Sequence, residues 1–341
     1  MPNTTISVII PSFKRPADLR RCLEAVALQS RPADEVLVVG RLGDADTWSV
    51  ISLLQHALPV LRIVPVTEPG LIAAMNCGLD HAAGDLLVFT DDDAGPLVDW
   101  LARIEAAFAD PSIGAVGGRD WLQFPDVPRL FDPAPVSSVG ILTWYGFLRG
   151  DHHCPLRGHV KKVMFLKGVN MALRSCALGS YRIDTALHGS GAQVGTELDL
   201  CLYLRQEGFG VIFDDRIIVK HYGAPRQPGD DRNDLDGVLF RDISFNNHYL
   251  IAKHFGLASA LAYLCNERVL GSHSMPGLLA CLKWCLKGDS DACRRLVTSY
   301  RYGLAGFRAG RRAQALARRH CERIASSALD FGDGEANRTG S

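Results

Sequence analysis

Three consecutive carboxylates, Asp91-Asp92-Asp93, directly follow the apolar run Leu86-Leu87-Val88-Phe89-Thr90. Adjacent like charges repel, so a fold tolerates them where a cation or hydrogen-bond donors offset the repulsion. Hard divalent ions take oxygen ligands, and Mg2+ is commonly held by one or two carboxylates together with substrate phosphates. In an extended segment Asp91 and Asp93 point to one side and Asp92 to the other. The same residues could also form a solvated acidic turn, or the N-cap of a helix over residues 96–108. Their place immediately after a buried strand favours the cation. A second acidic cluster lies in Gly195-Thr196-Glu197-Leu198-Asp199-Leu200 at the start of a helix. Acids in a first helical turn answer the macrodipole, and a carboxylate there could equally serve as a base that takes a proton from an attacking hydroxyl. His221 follows the apolar run Ile217-Ile218-Val219, where a surface or hydrogen-bonded histidine is as ordinary as a metal ligand.

These residues need elements to hold them. The run Ile6-Ser7-Val8-Ile9-Ile10 reads as a buried strand ended by Pro11, and residues 18–28 place Leu19, Cys22, Leu23 and Val26 on one helical face. Further strands are expected at 35–39, 61–66 and 85–90, with a helix at 70–81. Strand and helix alternating at this spacing imply a mainly parallel sheet flanked by helices, an α/β fold whose sites form at the carboxyl ends of the strands. Those ends carry Pro11-Ser12-Phe13-Lys14-Arg15, Gly40-Arg41 and the three aspartates. Residues 121–162 are rich in Pro, Gly and aromatics and read as long loops around a short hairpin. Residues 197–207 read as a helix, with strands at 211–213 and 217–219. From Asn246 onward the pattern is helical, and residues 330–341 have the polar, Gly-containing composition of a disordered tail. The domain expectation is therefore a catalytic α/β domain over 1–245, a helical C-terminal extension over 246–329, and a tail.

Composition narrows the function classes. With 37 basic and 37 acidic residues the formal charge is zero, which argues against a broad nucleic-acid footprint. Ten cysteines without a CxxC pair fit a reducing cytosol better than a disulfide scaffold. The first ten residues lack the basic-then-apolar pattern of a secretory signal, and no stretch reaches the roughly 18–20 apolar residues of a membrane span. A cytoplasmic protein, peripheral at the inner face of the membrane if it touches one, is expected. No GxGxxG follows the first strand, which disfavours a Rossmann dehydrogenase.

Taken in order, the motifs resemble those of the inverting glycosyltransferases of family 2, which have the GT-A fold. Ser7-Val8-Ile9-Ile10-Pro11-Ser12-Phe13-Lys14-Arg15 is similar to the family's opening strand and P-(S/T)-x-x-R turn. Glu68-Pro69-Gly70-Leu71-Ile72-Ala73-Ala74-Met75-Asn76-Cys77-Gly78-Leu79 resembles its G-l-a-a-A-r-N-x-G-l helix, and residues 84–93 its strand leading into the DxD motif. Gly168-Val169-Asn170-Met171-Ala172-Leu173-Arg174 resembles G-x-N-M-A-x-R. Gly195 to Leu200 fall where the family has G-E-D-x-D-L, and His221 where a histidine follows the last strand. The resemblance spans residues 6–222.

It implies a hexosyltransferase-type reaction that inverts the anomeric centre, with a nucleoside-diphosphate sugar as donor and a saccharide or lipid-linked hydroxyl as acceptor, in polysaccharide or glycoconjugate biosynthesis. By the same carry-over, Pro11, Ser12, Arg15, Asn76, Asp91, Asp92, Gly168 and Asn170 bind the nucleotide sugar. Asp93, with Asp91 and His221, binds a divalent metal, Mn2+ or Mg2+. Glu197 stands at the position of the catalytic base, with Asp199 as second candidate. Two departures stand out. Val39-Gly40-Arg41-Leu42-Gly43-Asp44 replaces the acidic V-D-D-G-S-x-D, with Asp44 the candidate to compensate. Met75 replaces an arginine, whose charge Arg15, Arg157 or Lys161 could supply. The rival readings are a sugar-1-phosphate nucleotidyltransferase, whose Gly-rich loop is missing after the first strand, and a sugar- or lipid-binding protein that kept the fold without the chemistry. Apolar helical stretches at 257–264 and 278–286, beside Arg294-Arg295, Arg308 and Arg311-Arg312, could rest on an anionic membrane or simply cap the catalytic domain.

Overall fold

Four short apolar runs form the parallel half of the sheet: β1 (Ile6–Ser12), β2 (Glu35–Arg41), β3 (Leu61–Val66) and β4 (Leu86–Phe89). Ile6, Val8, Ile9 and Ile10 are fully buried, as a strand covered on both faces requires. The crossovers are α1 (Pro16–Ala27), α2 (Ala45–Leu54) and α3 (Leu71–His81). Helix α1 starts with Pro16 in its first turn and buries Leu19, Cys22, Leu23 and Val26 against the sheet. The computed structural model describes residues 4–123, 133–145, 147–189, 191, 193–224, 237–271 and 276–336.

The second half of the sheet departs from simple alternation. It contains β5 (Ala94–Pro96), α4 (Trp100–Ala107), β6 (Ile113–Leu122), the hairpin β7 (Ile141–Leu142) and β8 (Leu148–Arg149), β9 (Val160–Lys162), β10 (Met171–Arg174), α5 (Ser175–Leu178), α6 (Thr196–Gln206) and β11 (Gly210–His221). The nine-stranded sheet runs in the order β3-β2-β1-β4-β10-β6-β11-β5, with β9 also paired to β11. Strand β10 is antiparallel to both β4 and β6, and β11 is parallel to β6. The strands β1, β2, β4, β6 and β11 therefore point their carboxyl ends to one edge. The helix expected over 96–108 begins only at Trp100, because residues 94–96 pair with the end of β11. The two strands expected at 211–213 and 217–219 are one strand interrupted by a bulge between Asp214 and Ile218.

That bulge is built by specific residues. Opposite it, a Cβ on Gly118 would stand 1.9 Å from the Ile217 carbonyl oxygen, so only glycine fits the close approach. Asn170 fills the gap: its amide nitrogen donates to the carbonyls of Arg119 and Ile217 at 3.2 and 2.9 Å, and its Oδ1 accepts from the indole N–H of buried Trp100 at 2.9 Å.

The chain divides into two compact units, residues 1–143 with 147–242 and residues 144–146 with 243–341. The sheet lies in the first. The second holds residues 243–254 of α7 (Val238–His254), with α8 (Leu257–Val269), α9 (Leu278–Leu286) and α10 (Ala292–Ala336). Helical structure thus starts eight residues before the expected Asn246, and the main chain of α10 stays helical through Ala336, into the segment expected as a tail. Residues 337–341 of that segment lie outside the described residues. Among the described residues, no helix is long and apolar enough to cross a membrane.

Forcing a methyl group into the bulge should be costly, since the neighbour is main chain. Gly118→Ala is expected to lower stability in urea denaturation by about 2 kcal/mol or more. Gly43→Ala, whose added carbon would meet nothing within 4 Å, should stay within about 0.5 kcal/mol of wild type.

Candidate active site

The aspartate triplet is the turn by which the chain leaves β4 and crosses to the far side of the sheet to pair as β5 with β11. This crossing sets what each carboxylate meets. Asp92 faces back toward β1, where Ser12 Oγ donates to it at 2.9 Å and Arg15 Nη1 at 3.2 Å. Asp93 faces β11: it accepts the Ala224 N–H at 2.8 Å and lies 3.4 Å from His221 Nε2. The Tyr222 N–H donates to the Asp93 carbonyl at 2.9 Å, extending the β5–β11 pairing. The ligand atoms of Asp91, Asp93 and His221 all lie within 4.8 Å of one another.

Behind His221 stands a residue that the sequence motifs do not single out. Asp120, on β6 and fully buried, accepts from His221 Nδ1 at 2.9 Å and from the Lys167 ammonium at 2.9 Å. A carboxylate on one ring nitrogen fixes the tautomer and turns the other nitrogen outward, the usual arrangement behind a metal-binding histidine. Asp120 follows Gly117-Gly118-Arg119 in a strand whose sequence carries no sign of its burial.

Four carboxylates (Asp91, Asp92, Asp93 and Asp120) thus meet three cationic groups (Arg15, Lys167 and His221). Burial pushes Asp91 up to about 7, against the pull of His221 and with Asp93 and Asp92 adding to the rise. Burial also pushes Asp92 up, to about 6, despite Arg15 and Ser12. Burial acts the same way on Asp93, but hydrogen bonding and charge from His221, the Ala224 N–H and Arg15 outweigh it and hold the carboxyl below its ordinary range. For Asp120, too, burial is outweighed by His221 and Lys167. Burial would lower His221, yet its bonds to Asp120 and Asp93 carry it up to about 10. A proton on Nε2 therefore occupies the place where a divalent ion would balance Asp91 and Asp93. Oxygen and imidazole donors with excess negative charge suit Mn2+ or Mg2+.

Beside this cluster opens a cleft of about 360 Å3, within the range of small-molecule sites. Pro11, Ser12, Phe13 and Arg15 line it from the end of β1, Arg41 from β2, Asp91 and Asp92 from the turn, Gly70 and Leu71 from the start of α3, and Gly191 from the loop before α6. Phe13 is 42% exposed, with the Lys14 ammonium 5.2 Å and the Arg41 guanidinium 6.0 Å from its ring centre. Neither Phe13 nor Arg41 stood among the expected contacts.

Several expected residues make structural hydrogen bonds within the unit. Asp44 is buried as the N-cap of α2, accepting from the Lys14 N–H at 2.6 Å and from Thr47 N and Oγ1 at 3.3 and 2.7 Å. Asn76 exchanges two hydrogen bonds of 2.9 Å with the main chain of Ile183, and Asn170 is spent on the β11 bulge. Met75 is core. Lys161 directs its ammonium to the Ser137 carbonyl, while Arg15 reaches Asp92. A Cβ on Gly168 would meet nothing within 4 Å, so the space beside it is open. In α6, Gly195 supplies the left-handed N-cap at φ 104°. Asp199 is fully buried and accepts from Tyr181 Oη and the Asp184 N–H, both at 2.9 Å. Glu197 keeps partial exposure and accepts from Thr196 Oγ1 at 2.7 Å.

Comparison with known proteins agrees with this fold. The family model described as "Glycosyltransferase like family 2" matches residues 2–233. Glycosyltransferase AglE of Haloferax volcanii is 32% identical over 124 residues, covering 36% of this chain and 41% of that protein. The succinoglycan biosynthesis protein ExoM of Rhizobium meliloti is 30% identical over 160 residues, 45% and 52% respectively. The chain spans about half the length of these curated relatives. Among solved structures, the mannosyltransferase PcManGT from Pyrobaculum calidifontis, in complex with GDP-Man and Mn2+, superposes with a TM-score of 0.53 at 17% identity over 92% of this chain and 87% of that one. The shared fold is GT-A.

The raised Asp91 gives a pH signature. Its ordinary value is 3.8 and its folded value about 7, so the unfolded chain loses the proton first and wild type loses stability across that window. In EDTA, wild-type stability is expected to fall relative to Asp91→Asn as pH climbs from about 4 to about 7, then to run parallel. A difference that does not change with pH contradicts the assigned burial.

Proposed function

The chain belongs to the glycosyltransferase-like family 2, and from that premise we propose that it transfers a hexosyl group from a nucleoside-diphosphate sugar to an acceptor hydroxyl, inverting the anomeric centre. The observation that carries this reading is the convergence of Asp91, Asp93 and His221 beside a cleft of about 360 Å3. A divalent ion held by those three side chains would supply the Lewis acidity that stabilises the departing diphosphate. Arg15, anchored by Asp92, presents its guanidinium to the same cleft and suits phosphate oxygens. The exposed Phe13 ring offers a stacking face to a nucleobase. Arg41, where the family has an acid, offers donors to a base edge rich in acceptors.

Glu197 is the base in this reading: partly exposed at the start of α6, it takes the proton of the acceptor oxygen as that oxygen attacks opposite the diphosphate. Asp199 has both carboxylate oxygens committed to Tyr181 and Asp184. It fixes the loop and helix start that position Glu197. Turnover of a panel of nucleotide sugars in Mn2+ should therefore lose about 100- to 10,000-fold in kcat with Glu197→Gln while donor binding persists. Asp199→Asn should instead lower the melting temperature. Donor binding without turnover in wild type, across a range of saccharide and lipid-linked acceptors, would favour a binding protein.

We also propose that the second unit rests on an anionic lipid surface, as a lipid-linked acceptor would require. Leu278, Leu282 and Leu286 recur at helical spacing along α9 and are 56%, 56% and 81% exposed, with Leu279 beside them. Lys283 and Lys287 flank this stripe, the composition of an interfacial helix. The protein is expected to float with anionic but not neutral liposomes, and Leu282→Asp with Leu286→Asp to abolish flotation. Wild type left unbound by anionic liposomes contradicts it.

A further inference from the structure

The ten cysteines look unpatterned in the sequence, but the second unit gathers three of them. Cys281 and Cys285 lie one turn apart on α9, and Cys293 lies at the start of α10. The Cys293 sulfur is 4.0 Å from that of Cys281 and 3.8 Å from that of Cys285, and all three lie within 4.8 Å of one another. A thiolate tetrahedron around Zn2+, with Zn–S near 2.3 Å, has sulfur-to-sulfur edges of about 3.8 Å. A disulfide would need a pair at about 2.05 Å and would strand the third thiol.

We propose that Cys281, Cys285 and Cys293 form a binding site for a thiophilic metal ion, Zn2+ foremost. The ion clips the carboxyl end of α9 to the start of α10 across the intervening turn. Cys281 is buried beneath the site and Cys285 and Cys293 are exposed, so the ion can enter from solvent. Acidic groups of the turn are engaged elsewhere: Asp289 accepts from Asp291 N at 3.0 Å and Arg295 Nη1 at 2.7 Å, and Asp291 pairs with Arg294 at 3.1 Å. A water molecule would complete the tetrahedron. Three neutral thiols become three thiolates on binding, releasing three protons, so affinity rises with pH. The set differs in kind from Asp91, Asp93 and His221: soft sulfur selects Zn2+ or Cu+, whereas oxygen-rich sites take Mg2+ and Mn2+.

Cobalt(II) is the probe that separates the two, because only thiolate ligation gives a sulfur-to-cobalt charge-transfer band in the near ultraviolet. The full chain, fully reduced and metal-stripped, should develop this band with one equivalent of Co2+ and lose it when Zn2+ is added. Cys285→Ser and Cys293→Ser, both at exposed positions and checked for an intact fold by circular dichroism, should each abolish the band, and Cys265→Ser should leave it unchanged. Absence of the band in wild type, or its survival at full intensity in Cys293→Ser, overturns the proposal.

Discussion

The mutual repulsion of Asp91, Asp92, Asp93 and Asp120 is the constraint around which the first unit is arranged. Carboxylates crowded and largely buried in this way need compensating partners, and these come from three separate parts of the sheet. Ser12 and Arg15 arrive from the end of β1, Lys167 from the segment before β10, and His221 from the end of β11. Arg15 serves Asp92 and Asp93, and His221 serves Asp93 and Asp120. A divalent ion between Asp91, Asp93 and His221 answers the remaining negative charge more completely than a proton on the imidazole can.

The phase of β11 is what brings His221 there. The bulge after Asp214 shifts β11 along β6, so that His221 pairs with Leu122 on one side and Ala94 on the other. Asn170 and Trp100 hold the bulge open and Gly118 allows it to close on β6. Asn170, expected among the donor-binding residues, thereby also supports the register of the strand that carries His221. Asp199 acts similarly on Glu197, fixing the turn before α6 through Tyr181 and Asp184.

What could be read from the sequence was local. The parallel strands β1 to β4 showed as apolar runs, although β1 and β2 continue through Pro11 and Gly40 to Ser12 and Arg41, and the six motifs pointed to the family. The far half of the sheet was less legible. Strand β6 reads Ile-Gly-Ala-Val-Gly-Gly-Arg-Asp-Trp-Leu, whose glycines disguise a strand and whose Asp120 looks like a surface charge until β11 covers it. The strand Ala94–Pro96 is too short and too Gly- and Pro-rich to announce itself. Tertiary packing also gathered three cysteines that no sequence spacing had grouped.

The most direct test of the central claim is the binding of Mn2+ to the first unit's cluster, followed in the full chain by loss of the free ion's electron paramagnetic resonance signal. Titrations would compare the protein alone with the protein plus each nucleoside diphosphate, for wild type and Asp93→Ala. The account predicts that one diphosphate tightens Mn2+ binding by wild type, as reciprocal coupling of a shared site demands, and that Asp93→Ala removes both the binding and the coupling. Mn2+ affinity that is the same with and without every diphosphate, or that Asp93→Ala leaves intact, would contradict it.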